Sequence, residues 1–439
     1  MADIIQPRVL KGFRDFLPAA EMERAELVEI LERIFRLSGF VPIDTPALEY
    51  AEVLLGKAGG ETEKQVYRFT DHGGRDVAMR FDLTVPFARF MAEHAAELYL
   101  PFKRYHVAKV WRGENTQRGR YREFVQCDFD VVGVDCAGAD FDVLQTIHAA
   151  VSALGAGGFR IRVNHRGVFN RFLEALDLSG RSVEILRIVD KLEKIGAEET
   201  LGQLSALAGE SAARKVMEYV TAGGDFEADL GRMTALAGGP NPDSERLAEL
   251  FAAARGAGFA DSLVLDPSIT RGLDYYTGVV FETTLDGLPE IGSVCSGGRY
   301  NDLASLYTKQ KLPGVGASVG MDRLLAALEA MGKARRGSSW TRALVLNVED
   351  GFLGRYAALA SRLRAAGVAT EIYPERKKLG QQFAYAERKG IGMAVILGQA
   401  EAERGVMVLK DLAGRSQAEY QSIESLAEAL LARTEGSAR

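Results

Sequence analysis

The feature that most restricts the fold of this chain is a long β-hairpin. Residues 104–111 and 124–134 form two runs rich in aromatic and β-branched side chains, and the polar residues 112–122 separate them. Runs of this composition are typical of β-strands, and two of them around a short polar segment predict an antiparallel pair. The two runs therefore predict one long hairpin.

Further segments extend this pattern into an α+β domain, with an antiparallel sheet flanked by helices, over residues 1–330. The helical spacing of Leu27, Leu31 and Phe35 predicts a helix that ends before Gly39. More strands are predicted at 158–164, 279–284 and 314–319, and the last is followed by an amphipathic helix at 322–330.

Two changes of composition divide the rest of the chain. Residues 179–240 consist of short helical segments rich in Ala, Leu, Glu and Lys, which predicts a helical insertion in the first domain. Residues 331–341 are mostly small, polar or basic and are interpreted as a linker. From 342 to 439 strands and helices alternate, which predicts a small α/β domain with a mostly parallel sheet. A chain of 439 residues is too long for one core, so such a division is expected.

The composition argues against several classes of protein. Hydrophobic residues make up 47% of the chain, charged residues make up 26%, and no apolar run is long enough to span a bilayer. Charges and a proline stand where a signal peptide would need an apolar stretch, so a cytoplasmic protein without membrane contact is expected. The three cysteines and five histidines show no paired spacing, so neither a disulfide framework nor a zinc site is expected. The net charge of −6 argues against general nucleic-acid affinity, although 54 Lys and Arg residues could still form basic patches.

The loop of the hairpin carries the first chemical signal. It contains four arginines, Arg112, Arg118, Arg120 and Arg122. Guanidinium groups stay charged and present a planar set of donors, which suits a polyphosphate whose α-phosphate must become electrophilic. A solvated basic hairpin would have the same composition, so the loop alone does not decide between the two interpretations.

Three segments in a fixed order resemble the motifs of class II aminoacyl-tRNA synthetases. Residues 39–49 (GFVPIDTPALE) resemble motif 1, residues 111–126 (WRGENTQRGRYREFVQ) resemble motif 2, and residues 314–325 (GVGASVGMDRLL) resemble motif 3. Residues 271–278 (RGLDYYTG) and 296–301 (SGGRYN) resemble the two signatures of the histidyl-tRNA synthetase family, and residues 11–18 and 79–89 match it as well. The resemblance covers nearly the whole chain.

This resemblance implies an enzyme that activates L-histidine with ATP and transfers it to the 3′ end of tRNA(His). It implies a class II catalytic domain over 1–330, an anticodon-binding domain over 342–439, and a homodimer formed through motif 1 in the region of Pro46. Mg²⁺ is expected with the phosphates of ATP and not on a dedicated set of protein ligands.

The resemblance also implies site residues. ATP would contact Arg112 (α-phosphate), Glu114 (adenine), Arg120 and Arg323 (γ-phosphate), and Phe124 (stacked on adenine). Histidine would contact Asp82, Leu83, Thr84, Arg112, Gln126, Asp130, Arg271, Tyr275 and Tyr276. Arg271 and Arg112 are the expected catalytic residues. A carboxylate and a phenol would together satisfy the donor and the acceptor of a neutral imidazole.

Two other interpretations share this resemblance. One is a catalytically inactive synthetase-like regulatory subunit of ATP phosphoribosyltransferase, but such proteins typically lack the C-terminal domain and parts of the signatures. The other is a class II synthetase for another amino acid, which the two histidine signatures oppose. Val125, Asn301 and Asp82 depart from the commonest family pattern, and the first two leave the shape of the pocket open. Basic residues that could contact tRNA are Arg376, Lys377, Lys378, Arg388 and Lys389, and a solvated helix face is an equal alternative.

Overall fold

The computed structural model describes residues 4–56, 61–189, 191–221, 223–269, 275–334 and 339–435. The chain divides into two compact units, of which the first comprises residues 1–15 and 26–334 and the second comprises residues 16–25 and 335–439. Among the described residues no helix is long and apolar enough to cross a membrane.

The first unit contains two sheets. Its strands are β1 (Val41–Pro42), β2 (Leu48–Tyr50), β3 (Arg68–Thr70), β4 (Asp76–Met79), β5 (Phe102–Trp111), β6 (Glu123–Val132), β7 (Phe159–His165), β8 (Leu263–Leu265), β9 (Val279–Leu285), β10 (Cys295–Arg299) and β11 (Gly314–Gly320). Eight strands form the larger sheet in the order β1-β5-β6-β11-β10-β9-β7-β8, and β2-β4-β3 form the smaller one. The six central strands of the larger sheet are antiparallel, as predicted, and parallel strands β1 and β8 are added at its edges.

Helices cover this sheet and form a separate group in the middle of the chain. They are α1 (Pro18–Leu37), of which the part from residue 26 onward belongs to this unit, α2 (Ala51–Leu55), α3 (Glu61–Gln65), α4 (Thr84–His94), α5 (Ala137–Ala153), α6 (Arg166–Ala175), α7 (Ser182–Val189), α8 (Leu192–Ala208), α9 (Glu210–Val220), α10 (Phe226–Leu236), α11 (Pro242–Gly256) and α12 (Met321–Ala330). The apolar stripe of α1 is the clearest case of sequence periodicity, because Leu27, Leu31 and Phe35 are all buried. Phe35 packs on Phe129 of β6 with ring centroids 4.9 Å apart.

The hairpin of β5 and β6 contributes the two longest strands of the larger sheet. Its register pairs Trp111 with Glu123 and Phe102 with Val132, so all ten residues of each strand are paired. The prediction placed the same two strands within two residues of these ends. Since side chains alternate between the faces of a strand, one face of β6 packs on helix α1 and the other is available for a site.

The second unit contains a five-stranded sheet in the order β13-β12-β14-β15-β16. Its strands are β12 (Ala343–Val345), β13 (Thr370–Ile372), β14 (Met393–Ile396), β15 (Met407–Asp411) and β16 (Gln417–Tyr420), and its helices are α13 (Leu353–Ala365), α14 (Leu379–Lys389), α15 (Gln399–Arg404) and α16 (Ile423–Glu435). β13, β12 and β14 are parallel, whereas β15 and β16 are antiparallel. The predicted α/β alternation is therefore correct, but the sheet is evenly mixed, because two final strands joined by a short turn add an antiparallel edge.

Candidate functional site

A cleft of about 700 Å³ opens on the face of the larger sheet that α1 leaves uncovered. Alternate residues of β6 line it: Phe124, Gln126, Asp128 and Asp130. The intervening residues Val125, Cys127 and Phe129 are buried. The period of two along one strand therefore separates a chemical face from a packing face.

The register of the sheet places two rows of residues across the floor of the cleft. One row runs through Asp128, Ser318, Ser296, Glu282 and Arg162, and the next runs through Asp130, Gly316, Gly298 and Val280. Directly paired residues project on the same face of an antiparallel sheet. The floor of the cleft is consequently built from five neighbouring strands, β6, β11, β10, β9 and β7.

Glycines in the second row leave room for larger side chains that come from neighbouring elements. A Cβ on Gly316 would overlap the Asp130 carboxylate. A Cβ on Gly298 would lie 3.0 Å from Cδ1 of Tyr276 and 2.8 Å from the carbonyl oxygen of Val279. Glycine in the centre of a sheet lowers the stability of the sheet, because it has no side chain to pack. Glycine is nevertheless needed at these two positions, because a larger residue would collide with the side chains of the pocket.

One end of the cleft is cationic. Arg112, Arg120 and Arg323 all line it, together with the ring of Phe124. The Arg112 Nε donates to the carbonyl oxygen of Phe81 at 2.8 Å, and its guanidinium carbon lies 5.2 Å from the Phe124 ring centroid. Burial lowers the pKa of Arg323, and the nearby charge of Arg120 lowers it further. Guanidinium groups held this close to each other favour a polyanionic ligand.

A short chain of contacts fixes this cationic end. The buried Asp322 accepts the backbone N–H of Val125 at 2.8 Å, which ties the start of β6 to helix α12. Its other oxygen accepts Nη2 of Arg14 at 2.6 Å, and the Arg14 guanidinium lies 4.0 Å from the ring centroid of Tyr121. The N-terminal segment thus holds the hairpin loop against the rest of the cleft.

The other end of the cleft is acidic and buried. Asp82, Asp128 and Asp130 are each no more than 2% exposed. Burial raises the pKa of Asp82 and of Asp130, and it raises the pKa of Asp128 to about 7. Arg104, also buried, lies 2.7 Å from Asp130 Oδ2 as an ion pair. Of these three carboxylates, only Asp130 forms an ion pair within the described ranges, so this end favours a cationic ligand.

Tyrosine hydroxyls cluster beside these carboxylates. Tyr275 donates to Asp82 Oδ2 at 3.4 Å, and Tyr300 donates to Asp130 Oδ1. Tyr276 lines the cleft. Burial raises the pKa of all three hydroxyls, so they are protonated at neutral pH and available as hydrogen-bond donors.

The structure brings most of the predicted site residues to this one cleft. Those that line it are Thr84, Arg112, Glu114, Arg120, Phe124, Gln126, Asp130, Tyr276 and Arg323. Asp82 and Tyr275 are joined by their hydrogen bond, and the backbone oxygen of the buried Leu83 lies 3.5 Å from Nη2 of Arg104. Arg271 falls in the segment 270–274, which lies outside the described residues.

Sequence reasoning gave no role to several polar residues of this pocket, among them Arg104, Asp128, Tyr300 and Ser318. The alternation of Gln126, Asp128 and Asp130 was a signal for one of them, because residues two apart on a strand share a face. The sequence contains no such signal for Arg104, because the ion pair of Arg104 with Asp130 joins two strands whose register the sequence does not reveal.

Two departures from the family pattern are located away from the pocket floor. Val125 is buried on the packing face of β6, so its side chain does not shape the cleft. The amide of Asn301 donates to Asp135 at 2.8 Å and accepts from Arg299 at 3.1 Å. Packing thus explains Val125, and hydrogen bonds to the charged residues Asp135 and Arg299 explain Asn301. Within the described ranges no group of three or more His, Cys, Asp or Glu side chains could hold a metal ion.

Comparisons with family models match both parts of the chain. The model described as Histidyl-tRNA synthetase matches residues 12–324, and the model described as Anticodon binding domain matches residues 342–433.

Individual proteins match over almost the whole length. The Histidine--tRNA ligase of Treponema denticola is 53% identical over 97% of this chain and 98% of its own. That of Rhodopirellula baltica is 49% identical over 98% of this chain and 100% of its own. The crystal structure of histidyl-tRNA synthetase from Nostoc sp. PCC 7120 superimposes with a TM-score of 0.89 at 32% identity, covering 98% of this chain and 100% of that one.

Proposed function

This chain belongs to the histidyl-tRNA synthetase family, and we propose that its cleft is where histidine is activated by ATP and passed to tRNA. The chain is an aminoacyl-tRNA ligase with histidine, ATP and tRNA as substrates. The observation that carries the assignment to this cleft is its division into a cationic end and an acidic end. A polyphosphate and an amino acid with a cationic ammonium group fit such a division in only one orientation.

In this proposal ATP occupies the cationic end. The guanidinium groups of Arg112, Arg120 and Arg323 bind the phosphates, and the adenine ring stacks on Phe124 and contacts Glu114. The hydrogen bond from Arg112 to Phe81 holds that guanidinium at the junction of the two ends, where the α-phosphate must meet the attacking carboxylate. Mg²⁺ enters with ATP as part of the substrate.

Histidine occupies the acidic end in the same proposal. Asp82, Thr84 and Gln126 hold the α-amino group. Asp130, Tyr275 and Tyr276 form hydrogen bonds with the imidazole, and the backbone of Leu83 lies beside them. Asp130 is oriented by Tyr300 and Arg104, so its carboxylate is fixed before the ring arrives.

The chemistry requires positioning and charge stabilisation more than proton transfer. The histidine carboxylate is already ionised at neutral pH, attacks the α-phosphorus and expels pyrophosphate, leaving histidyl-adenylate. Arg112 and Arg271 are the proposed catalytic residues, because charge that develops on the α-phosphate is stabilised by fixed cations. A ribose hydroxyl at the 3′ end of tRNA(His) then attacks the acyl carbon and releases AMP.

A homodimer through motif 1 is part of the proposal. Three apolar side chains on the neighbouring small sheet are strongly exposed: Leu48 (41%), Tyr50 (51%) and Phe69 (48%). Exposed apolar residues grouped on one sheet are typical of a protein interface. The segment around Pro46 immediately precedes this sheet.

The remaining proposals concern the domains and the location of the protein. We assign 1–330 to the catalytic domain, 179–240 to a helical insertion, 331–341 to a linker and 342–439 to anticodon binding, which the match of 342–433 supports. Arg376, Lys377 and Lys389 each contact a carboxylate, so they are weaker candidates for tRNA phosphate contacts than the exposed Lys378 and Arg388. The cytoplasm, where tRNA is charged, is the proposed location.

The regulatory-subunit alternative is not favoured, because relatives that match over 94–98% of this chain are named as Histidine--tRNA ligases. Histidine-dependent exchange between ATP and pyrophosphate tests the proposed function directly. Exchange with histidine and with no other amino acid is expected. If the purified protein binds histidine but shows no exchange, the proposed activity is wrong.

Arg271 has a test of its own. Arg271→Ala is expected to retain histidine binding within a few-fold and to lose most of the pyrophosphate exchange, because its charge is assigned to the transition state. An equal loss of binding and exchange would mean that Arg271 holds the substrate instead.

A further inference from the structure

The Asp128 carboxylate is unused in the reaction described above, although it lies in the middle of the acidic end. Its side chain is 2% exposed and lines the cleft, and its Oδ1 has no hydrogen-bond partner among the described residues. The nearby Arg104 is engaged with Asp130 at 2.7 Å. A buried carboxylate without a contacting cation is unfavourable, so a positively charged ligand that reaches this carboxylate would be stabilised by it.

A second buried acceptor without a partner lies two residues away on the same face of β6. Gln126 donates from Nε2 to the Ser318 hydroxyl at 3.0 Å, which leaves its Oε1 without a partner in the described part of the chain. Ser318 is paired with Asp128 in the register of β6 and β11. Two such acceptors side by side suit an ammonium group, which has three donors and no acceptor.

The order of residues along β6 indicates which group of histidine reaches Asp128. Phe124 and Arg112 lie at the phosphate end, so the reacting carboxylate of the amino acid must be near them. Asp130 lies at the far end and is already held by Tyr300 and Arg104. Successive residues on one strand face are about 6.5–7 Å apart, so Asp128 lies between the carboxylate and the ring, where the α-carbon and its ammonium are.

We propose that Asp128 joins Asp82, Thr84 and the Gln126 carbonyl oxygen in binding the α-ammonium group of histidine, and that its charge makes the ammonium a requirement for binding. This inference rests on the proposed function, because it assumes histidine in the cleft. The α-ammonium is the permanent positive charge of histidine at neutral pH, whereas the imidazole is mostly neutral. Asp128 is therefore a specificity residue that excludes imidazole compounds without an amino group.

Calorimetric titration of three ligands tests the assignment. L-Histidine and L-histidinol contain both the ammonium and the imidazole, whereas 3-(imidazol-4-yl)propionate lacks the ammonium. Asp128→Asn, which has the same shape without the charge, is expected to weaken the first two about 10- to 100-fold and to change the third less than about twofold. Asp128→Ser is expected to give the same ratio, and circular dichroism establishes that both variants fold.

Tyr276→Phe is the matched control, because it removes a hydroxyl assigned to the ring and is expected to weaken all three ligands by a similar factor. An equal loss for the propionate in Asp128→Asn, or an unchanged affinity for histidine, would overturn the assignment of Asp128. Pyrophosphate exchange in the unmodified protein is scored separately, so a failed activity is distinguished from a failed assignment of this residue.

Discussion

The buried charge of Asp128 has a cost that a stability measurement can detect. In the folded protein burial raises the pKa of Asp128 from 3.8 to about 7, and the neighbouring Asp130 and Asp82 act in the same direction while Arg104 opposes them. Between these two values the folded state binds more protons at Asp128 than the unfolded state does. Stability is therefore lost as the pH rises from about 4 to about 7, and it stays lost above that range.

The size of the effect follows from the same pKa values. A change from 3.8 to about 7 corresponds to about 4 kcal/mol of destabilisation at high pH. More than half of this, about 2–3 kcal/mol, develops between pH 5 and pH 8. Asp128→Asn removes the titration, so the free energy of unfolding of the variant relative to the original protein should rise by that amount between pH 5 and pH 8. At roughly 2 °C per kcal/mol, the difference in Tm should grow by about 5 °C.

The assay is thermal unfolding of the ligand-free proteins, followed by circular dichroism at pH 5 and pH 8. The exposed Asp302 provides a control, since Asp302→Asn removes a carboxylate that water solvates and should shift Tm equally at both values. A difference between Asp128→Asn and the original protein that is the same at pH 5 and pH 8 would refute the buried-charge argument.

Three further perturbations test other parts of the site. Gly316→Ala places a methyl group against the Asp130 carboxylate and should raise the KM for histidine at least about tenfold, as measured by pyrophosphate exchange, whereas Gly354→Ala, which has open space around it, should not. Arg14→Ala releases the hairpin loop and should raise the KM for ATP several-fold with a smaller effect on the KM for histidine in the same assay. Phe69→Lys puts a charge on the exposed apolar sheet and should convert a dimer to monomers in light scattering coupled to size exclusion.

For each of these three variants, a different result would contradict the prediction. An unchanged KM in Gly316→Ala would mean that Asp130 does not need its present position. Equal effects of Arg14→Ala on both substrates would indicate a general loss of structure and not a role in the ATP end. A Phe69→Lys protein that keeps the mass of the original would exclude the small sheet from the interface.

Local sequence patterns predicted those helices and strands whose side-chain periodicity is visible within the segment itself. The hairpin and the helix of Leu27, Leu31 and Phe35 were predicted because their periodicities are set by the strand and the helix themselves. The antiparallel strands β15 and β16 were missed, because their short and partly polar sequences, Met407–Asp411 and Gln417–Tyr420, carry little pattern of their own.

The site was predictable only through its resemblance to a known family. Tyr276 or Phe124 alone reads as a core aromatic, and no local rule joins either one to a ligand. Arg104 could not be found in this way, because its role depends on pairing with Asp130 across two strands. Asp128 could have been found from its spacing to Gln126 and Asp130, yet the absence of a partner for its Oδ1 among the described residues becomes visible only in the structure.

The alternation along β6 also limits how this protein can vary in length. One inserted residue within Glu123–Val132 would turn every later side chain to the opposite face, so that Phe129 would point into the cleft and a carboxylate would press against α1. Substrate recognition and hydrophobic packing would then fail in the same molecule. Insertions and deletions in the loop 113–122 would instead leave both faces of the strand unchanged and alter the reach of the loop arginines towards ATP.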